Sequence, residues 1–381
     1  MAERILIFAP YYVPHTYGLS VHIDEFSKLL SRRVKEITIF TPHLFKDSPE
    51  EEVKYGKIRI IRFPAFYIVF NYPFPKIWKL KFWKLLIALF RENKYDLVIS
   101  NMRFFVISLF ALFYSKIKKV RWIHIEHGSD HIIMSNKIKE LVAKFYDLTM
   151  GLLIFRFSDI NIATSSEMKK FINKFDKRNV PVILNSLNIK NAEAIKSDQN
   201  LKNLFRGKII ISFLGRICKY KGIEESVKII KSLPEDLKSR LVFVVMGYGE
   251  DYEKIKKIIN GDESIKLLGE LPRDKAIGIL KISDIYIHSS LPGGGVSSAL
   301  QEAMFCKCAV LCTPNEGVMD LIKDGENGII FQDKKEMKQK LISLISNVEK
   351  INFYGEEAHK TIKNSFDWEK SIEKYWELIN I

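Results

Sequence analysis

The amino-acid sequence predicts an α/β protein with two doubly wound, Rossmann-like parallel-sheet domains that face each other across a cleft. Three observations lead there. The chain has 381 residues, and at about 100–200 residues per domain that is room for two domains with a sizeable core in each. Its 47% hydrophobic and 28% charged residues are a globular balance that excludes disordered, collagen-like and disulfide-stapled proteins. Short apolar, β-branched runs alternate with longer helical patterns from end to end, as βα units and parallel sheets require.

In the first half, strands are expected at 5–9, 37–41, 97–100, 122–126, 161–164 and 182–185. One helix should begin near Val21. Another should cover 76–91, with Trp78, Phe82, Leu85 and Leu89 as the stripe that packs on the sheet. The second half repeats the alternation, with strands at 209–214, 241–246, 265–268, 285–288, 309–312 and 328–331. Between Ile189 and Lys208 the chain is polar and strandless. The expected division is a first domain at 1–188, a linker at 189–207 and a second domain at 208–364. Residues 365–381 read as a closing helix with Trp368, Ile372, Tyr375, Trp376 and Ile379 on its apolar face and Asp367 as its N-cap.

The net charge of +15 favours an anionic partner. It is unevenly spread: residues 54–121 hold fifteen Lys/Arg against only Glu92 and Asp96, a local +13, and the rest of the chain carries +2. Ten Phe, Tyr and Trp crowd between Phe63 and Phe90 in the same stretch. No run of 18 uncharged, predominantly apolar residues occurs, so no membrane span is expected. Met-Ala-Glu-Arg leads straight into the first strand, which argues against a signal peptide and for a reducing, cytoplasmic compartment. Cys306-x-Cys308-x3-Cys312 lacks metal-ligand spacing and a nearby His, and reads as buried small residues.

In an α/β sheet, ligands sit on the loops that follow the strands' carboxyl ends. The strand at 209–214 runs into Gly215-Arg216-x4-Lys221-Gly222 and a helical pattern. Glycines there let the backbone approach a phosphate, and Arg216 and Lys221 can both reach a diphosphate. The strand at 285–288 runs into Ser289-Ser290-Leu291-Pro292-Gly293-Gly294-Gly295-Val296-Ser297-Ser298, rich in accessible N–H donors, and then a helix whose first turn is expected to carry Glu302. Glu302 suits hydrogen bonds from a sugar's hydroxyls; helix-start electrostatics is the alternative. Gly247-Tyr248-Gly249 opens a G-x-G pattern, but Tyr252 stands at its third glycine, so NAD(P) binding is discounted. In the first half, Pro14–Ser20 and His127-Gly128 follow strands on what should be one carboxyl edge; His124 and Glu126 alternate with His127 and suit the core, as His127 itself does in the alternative reading.

In order and spacing these motifs resemble the retaining glycosyltransferases of the GT-B architecture, specifically glycosyltransferase family 4. Gly18-x3-His22 is similar to that family's glycine-rich N-terminal loop, and His127-Gly128 to its His-Gly. Residues 182–186, Gly215-Arg216-x4-Lys221-Gly222, Ile265-x-Leu267-Leu268-Gly269, Ser283-Asp284-Ile285, the run from Gly294 to Glu302-Ala303-Met304, Asp324-Gly325-x-Asn327-Gly328 and Phe366-Asp367-Trp368-Glu369 continue in family order. There are two departures. Gly294 stands where the first of two paired glutamates is usual, and Tyr17 where the first of two glycines is.

The resemblance implies a nucleotide-diphosphate sugar, UDP- or GDP-linked, as donor substrate, with no further cofactor. Its base would lie near Gly269–Leu271, its ribose on Glu302, and its diphosphate on Arg216, Lys221 and the amides of Gly295, Val296, Ser297 and Ser298, with Gly18, Gly215 and Gly294 also donor-binding and His127 orienting the sugar. In such enzymes the leaving phosphate can itself take the acceptor's proton, and no side-chain base is named. No Asp-x-Asp occurs, so a metal-clamped diphosphate is not expected.

The basic stretch bears on the acceptor. On a helix at 76–91, Lys76, Lys84 and Arg91 share an arc with Leu80, Trp83 and Ile87, and Lys79 and Lys81 lie beside them. Trp and Ile among lysines fit an interfacial helix better than a solvated one. A lipid-linked or membrane-surface glycan acceptor, and peripheral association with an anionic cytoplasmic membrane face, are therefore expected. The rival readings are a nucleic-acid-binding protein, for which no RRM, KH, zinc or helix-turn-helix pattern is present, and a GT-B protein that binds sugar nucleotide without transferring it.

Overall fold

The structure is a computed structural model that describes residues 2–15, 18–68, 72–92, 94–128, 141, 144–291 and 297–381, with Glu316 described in its backbone only. The chain divides into two compact units, Met1–Asn185 with Trp368–Ile381, and Ser186–Asp367. Residues 189–207, expected as a linker, lie within the second unit and form the helices Ile189–Ala194 and Gln199–Leu204.

In the first unit the strands are β1 (Arg4–Phe8), β2 (Glu36–His43), β3 (Glu51–Lys54), β4 (Ile58–Tyr67), β5 (Pro73–Pro75), β6 (Leu97–Asn101), β7 (Arg121–Glu126) and β8 (Ile160–Ala163). Their order is β3-β4-β2-β1-β6-β7-β8, with β5 paired to β4. The pairings are parallel except those of β3 and β5 with β4. Alternation along β1 sends Ile5 and Ile7 to one face and Leu6 and Phe8 to the other. The first face is covered by the helix Gly18–Leu30 and by the last helix, Trp368–Asn380, whose Trp368, Ile372, Tyr375 and Ile379 are buried in that core. The second face carries Leu80–Arg91, Ile107–Lys118 and Leu152–Phe157.

Three expectations need correction here. Residues 182–185 form no strand; Val182 makes one isolated bridge to Ala163. The helix expected at 76–91 begins at Leu80, so Lys76 and Trp78 precede it, and Trp78 is 64% exposed instead of packing on the sheet. The buried stripe is Phe82, Leu86 and Leu89, with Leu85 only partly covered.

The second unit's sheet is parallel, ordered β11-β10-β9-β12-β13-β14: β9 (Ile209–Leu214), β10 (Leu241–Met246), β11 (Ile265–Gly269), β12 (Ile285–His288), β13 (Ala309–Cys312) and β14 (Ile329–Ile330). All six residues of β10 are buried, as a strand covered by helices on both faces must be, which is why it reads as an unbroken apolar run. The strand order reverses between β9 and β12, and in the first unit between β1 and β6. At such a switch point the loops after the two neighbouring strands diverge and leave a crevice. Asp324-Gly325-x-Asn327-Gly328 is a structural turn: Asp324 accepts from the Ile330 N–H (2.8 Å), and Asn327 accepts from the Lys323 N–H and donates to Leu321 O and Thr361 Oγ1.

Candidate functional site

The second unit's switch point is built from the two loops the sequence singles out. After β9 the chain passes Gly215 and Arg216 into a single 3-10 turn, Lys219–Lys221, and Gly222 caps the helix Ile223–Lys231 from a left-handed conformation, φ +66°. This turn is laced to the end of β12. Ser289 Oγ donates to Lys221 O (3.0 Å), the Leu291 N–H donates to Tyr220 O (2.8 Å), and the Ser289 and Ser226 hydroxyls lie 3.0 Å apart. A Cβ on Gly222 would stand 2.1 Å from Ser289 O. Gly222→Ala therefore meets a carbonyl and an unfavourable φ together. It is expected to lower stability by about 1–3 kcal/mol, read by the urea midpoint; a variant matching wild type would refute the packing argument.

Gly247-Tyr248-Gly249 has its own structural reason. Added Cβ atoms at Gly247 and Gly249 would stand 1.9 Å from Gly215 O and 2.3 Å from Ile217 O. The Gly215 N–H donates to Met246 O (3.0 Å) and the Ile217 N–H to Tyr248 O (3.0 Å), so these glycines let the β10 turn support the loop that carries Arg216.

Lys221 makes no ion pair with a carboxylate among the described residues; burial lowers its pKa. His288, at the end of β12, is pushed down to about 3 by burial and by the Lys221 charge, so its imidazole is neutral. Arg216 is half exposed and pairs with Glu250, Nε to Oε2 3.1 Å. Gly294, Gly295 and Val296 lie outside the described residues. Ser297 and Ser298 are described: Ser297 is the N-cap of Ser298–Phe305 and makes no side-chain capping bond, and the first turn has no acid, so among the described residues nothing neutralises the partial positive charge of this helix start. Glu302 falls in that helix's second turn, not its first, because the helix already begins at Ser298. Its carboxylate is buried and accepts from Arg273 Nε at 2.8 Å. Burial raises its pKa while Arg273 opposes the rise. Half-buried Leu271 lies two residues before Arg273, so this ion pair ties the turn after β11 to Glu302; Arg273 was not anticipated, being 29 residues from its partner.

At the first unit's switch point, Gly18 is exposed at the start of its helix, whereas Thr16 and Tyr17 lie outside the described residues. His127 and Gly128 follow β7, and both of their N–H groups donate to Glu126 Oε1, at 3.0 and 2.8 Å. The other oxygen, Oε2, accepts from the Arg103 N–H (3.0 Å) and faces His124 Nε2 (3.2 Å). Arg103, on the loop after β6, makes a two-pronged pair with Asp147 (2.7 and 3.1 Å), lies 3.3 Å from Glu126 and donates to Gly128 O (3.1 Å). Its guanidinium is 4.3 Å from the centroid of the Phe171 ring. Asp147 opens a π-helical turn, Asp147–Gly151, where a Cβ on Gly151 would come within 2.9 Å of its carboxylate. Arg103 holds Glu126 well below the usual carboxylate range despite burial. Arg103 and Asp147 escaped the sequence reading; the available clue was the position of Arg103 just past a switch-point strand.

His127 Nε2 lies 3.2 Å from Asn101 Oδ1, a contact that needs the proton on Nε2 and leaves Nδ1 as an acceptor. Its ring meets His22 edge-on, 4.6 Å between centroids. Burial pushes His127 down to about 4 and lowers His22 and His124 as well. Unfolded, these histidines and His288 return to about 6.5. Between that pH and about 4 the unfolded chain binds more protons than the native one, so stability falls as pH drops through the window. A urea midpoint that declines from pH 7 toward pH 4.5 is expected, with a shallower decline in His288→Gln; a flat profile would contradict neutral burial.

Two doubly wound units, each with its loops gathered at a switch point, together with a last helix returned to the first unit's core, define a protein of the GT-B class. The sequence matches the model for Glycosyltransferase Family 4 over residues 16–191 and the model for glycosyl transferases group 1 over residues 195–367. It is 40% identical to an uncharacterised glycosyltransferase of Methanocaldococcus jannaschii, over 98% of this chain and 97% of that one. In structure it is similar to sucrose-phosphate synthase from Thermosynechococcus elongatus (TM-score 0.78, 15% identity, 99% and 98% of the two chains). It is also similar to Anabaena HepE solved with UDP-glucose (TM-score 0.75, 16% identity, 100% of both). The chain belongs to glycosyltransferase family 4.

Proposed function

We propose that this glycosyltransferase moves a sugar from a UDP- or GDP-linked donor to an acceptor hydroxyl with retention of anomeric configuration and without a metal ion. The observation that carries this reading is Lys221, a lysine with no carboxylate partner among the described residues, on a turn laced by Ser289 to the end of β12, whose His288 is neutral. Negative charge grows on the leaving diphosphate as the anomeric bond breaks, and a fixed cation gains most in that transition state. Arg216 supplies a second, more mobile cation, and Glu302, steadied by Arg273, takes ribose hydroxyls. Neutral His127, its Nε2 on Asn101, orients the donor sugar through Nδ1. HepE was solved with UDP-glucose, which supports a nucleotide sugar as donor.

The acceptor reading rests on the helix Leu80–Arg91, where Leu80, Trp83 and Ile87 are exposed beside Lys84 and Arg91. We infer a lipid-linked or membrane-surface glycan acceptor and peripheral attachment to an anionic, cytoplasmic membrane face. No helix among the described residues is long and apolar enough to cross a membrane. Lys81, expected in this patch, pairs with Glu50 and contributes less. Lys76 and Lys79 precede the helix and extend its basic end.

Incubation of the purified chain with labelled UDP- and GDP-sugars and candidate acceptors tests the reading, with transfer or slow donor hydrolysis as the expected result. Binding without turnover would favour the second reading, a sugar-nucleotide-binding protein that does not transfer, which Gly294 in place of the usual glutamate motivates. A nucleic-acid mobility shift with neither binding nor transfer would overturn both.

A further inference from the structure

The helices Leu80–Arg91, Ile107–Lys118 and Leu152–Phe157 lie side by side over one face of the first unit's sheet. Phe82 and Phe110 are 5.6 Å apart between centroids, Phe90 and Tyr114 4.9 Å, and Lys116 Nζ stands 5.8 Å over the Phe157 ring. Together the three helices carry six Lys/Arg and no Asp or Glu. Their outer faces expose Leu80, Trp83 and Ile87 on the first, Phe113 and Ile117 on the second, and Phe157 on the third. Exposed apolar residues are ordinary when scattered, but six on three adjacent helices form a patch that calls for a covering surface.

A cleft of 480 Å³ opens at the amino edge of the sheet, where Ile107–Lys118 ends and β7 begins; Ser115, Lys116, Lys119, Val120, Arg121 and Asp159 line it. Its charges are unbalanced. Asp159 Oδ2 accepts from the Trp122 N–H (2.7 Å), and Arg121 is held by donating to Leu378 O and Ile379 O (2.9 Å each). Lys116 and Lys119 make no ion pair among the described residues. Lys119 sits in a left-handed C-cap, φ +54°, that ends its helix at the cleft. Cations lining a recess, one of them over the exposed Phe157 ring, match an amphiphile with a phosphate at one end and hydrocarbon at the other.

We propose that this cleft binds the phosphate of an anionic lipid headgroup, with Phe113, Ile117 and Phe157 set into the acyl boundary, so that the whole three-helix layer is the docking surface and not Leu80–Arg91 alone. The proposal rests on the membrane reading above and adds a second, separable contact to it. The test is co-sedimentation of the full chain with vesicles of phosphatidylcholine, with and without phosphatidylglycerol. Wild type is compared with Lys116→Glu/Lys119→Glu and with Leu80→Ser/Trp83→Ser, and thermal midpoints check that each variant folds. The expected result is salt-sensitive binding of wild type to the anionic vesicles and about a tenfold or greater loss in the lysine variant, with its midpoint unchanged. Undiminished binding of the lysine variant, with loss in the Leu80/Trp83 variant, would overturn the cleft and leave the membrane reading intact. No binding of wild type, or equal binding to neutral vesicles, would overturn both, and capture of RNA that competes with vesicles would assign the patch to nucleic acid.

Discussion

Lys221→Ala is expected to lower sugar-transfer turnover by roughly 30- to 1000-fold, equivalent to about 2–4 kcal/mol of transition-state stabilisation, with a smaller effect on donor binding. The size follows from the surroundings of the amine. Lys221 is not neutralised by a carboxylate among the described residues, His288 at the end of β12 is neutral, and burial screens it poorly from whatever lies in the loop. Burial also sets a pH dependence. Because the pKa of Lys221 is lowered, its cation is lost at a lower pH than an ordinary lysine's, and turnover should decline on the alkaline side of the profile. Lys221→Arg, whose charge persists, should move that limb to higher pH even if its rate is reduced. An alanine variant with undiminished turnover would remove Lys221 from the mechanism.

The second large effect is expected at Arg103. Arg103→Met leaves Glu126 and Asp147 buried without their shared cation, and breaking a buried pair by removing one partner costs about 3–5 kcal/mol. The measurement is the urea midpoint at neutral pH. Asp147→Asn should cost less, because Glu126 still faces the guanidinium. Function should suffer beyond the folding loss, since Arg103 and Glu126 together hold Gly128 O and the N–H groups of His127 and Gly128. At a temperature where the variant remains folded, kcat should fall more than KM rises. Wild-type stability in Arg103→Met would show that the triad is not what holds the His127 turn.

Legibility in the sequence tracked how local each feature is. β9, β10, β12 and β13 stand where the apolar runs place them, because strands buried on both faces show continuous hydrophobic segments. β3, β4 and β5 escaped notice. Glu-Glu-Val-Lys is a charged edge strand, and β4 contains Arg59, Arg62 and Pro64, which interrupt its apolar run within the basic stretch. Arg62 is nevertheless buried, its guanidinium donating to Glu52, Pro49 O and Val13 O. No window of sequence reveals that compensation.

The same division holds for the site. Gly215-Arg216-x4-Lys221-Gly222 was readable from the sequence by itself because a strand, a turn and a helix start are consecutive, and the left-handed cap demands glycine locally. Two things were decided only by tertiary structure: why Gly222 has no room for a side chain, since the obstructing Ser289 carbonyl comes from another strand, and what steadies Glu302 and Glu126. The partners of those carboxylates, Arg273 and Arg103, are 29 and 23 residues distant, and Arg103 meets Asp147 across 44. Periodicity and capping report which face of an element is buried. Which buried charges meet depends on strand order, and that exists only once the sheets have assembled.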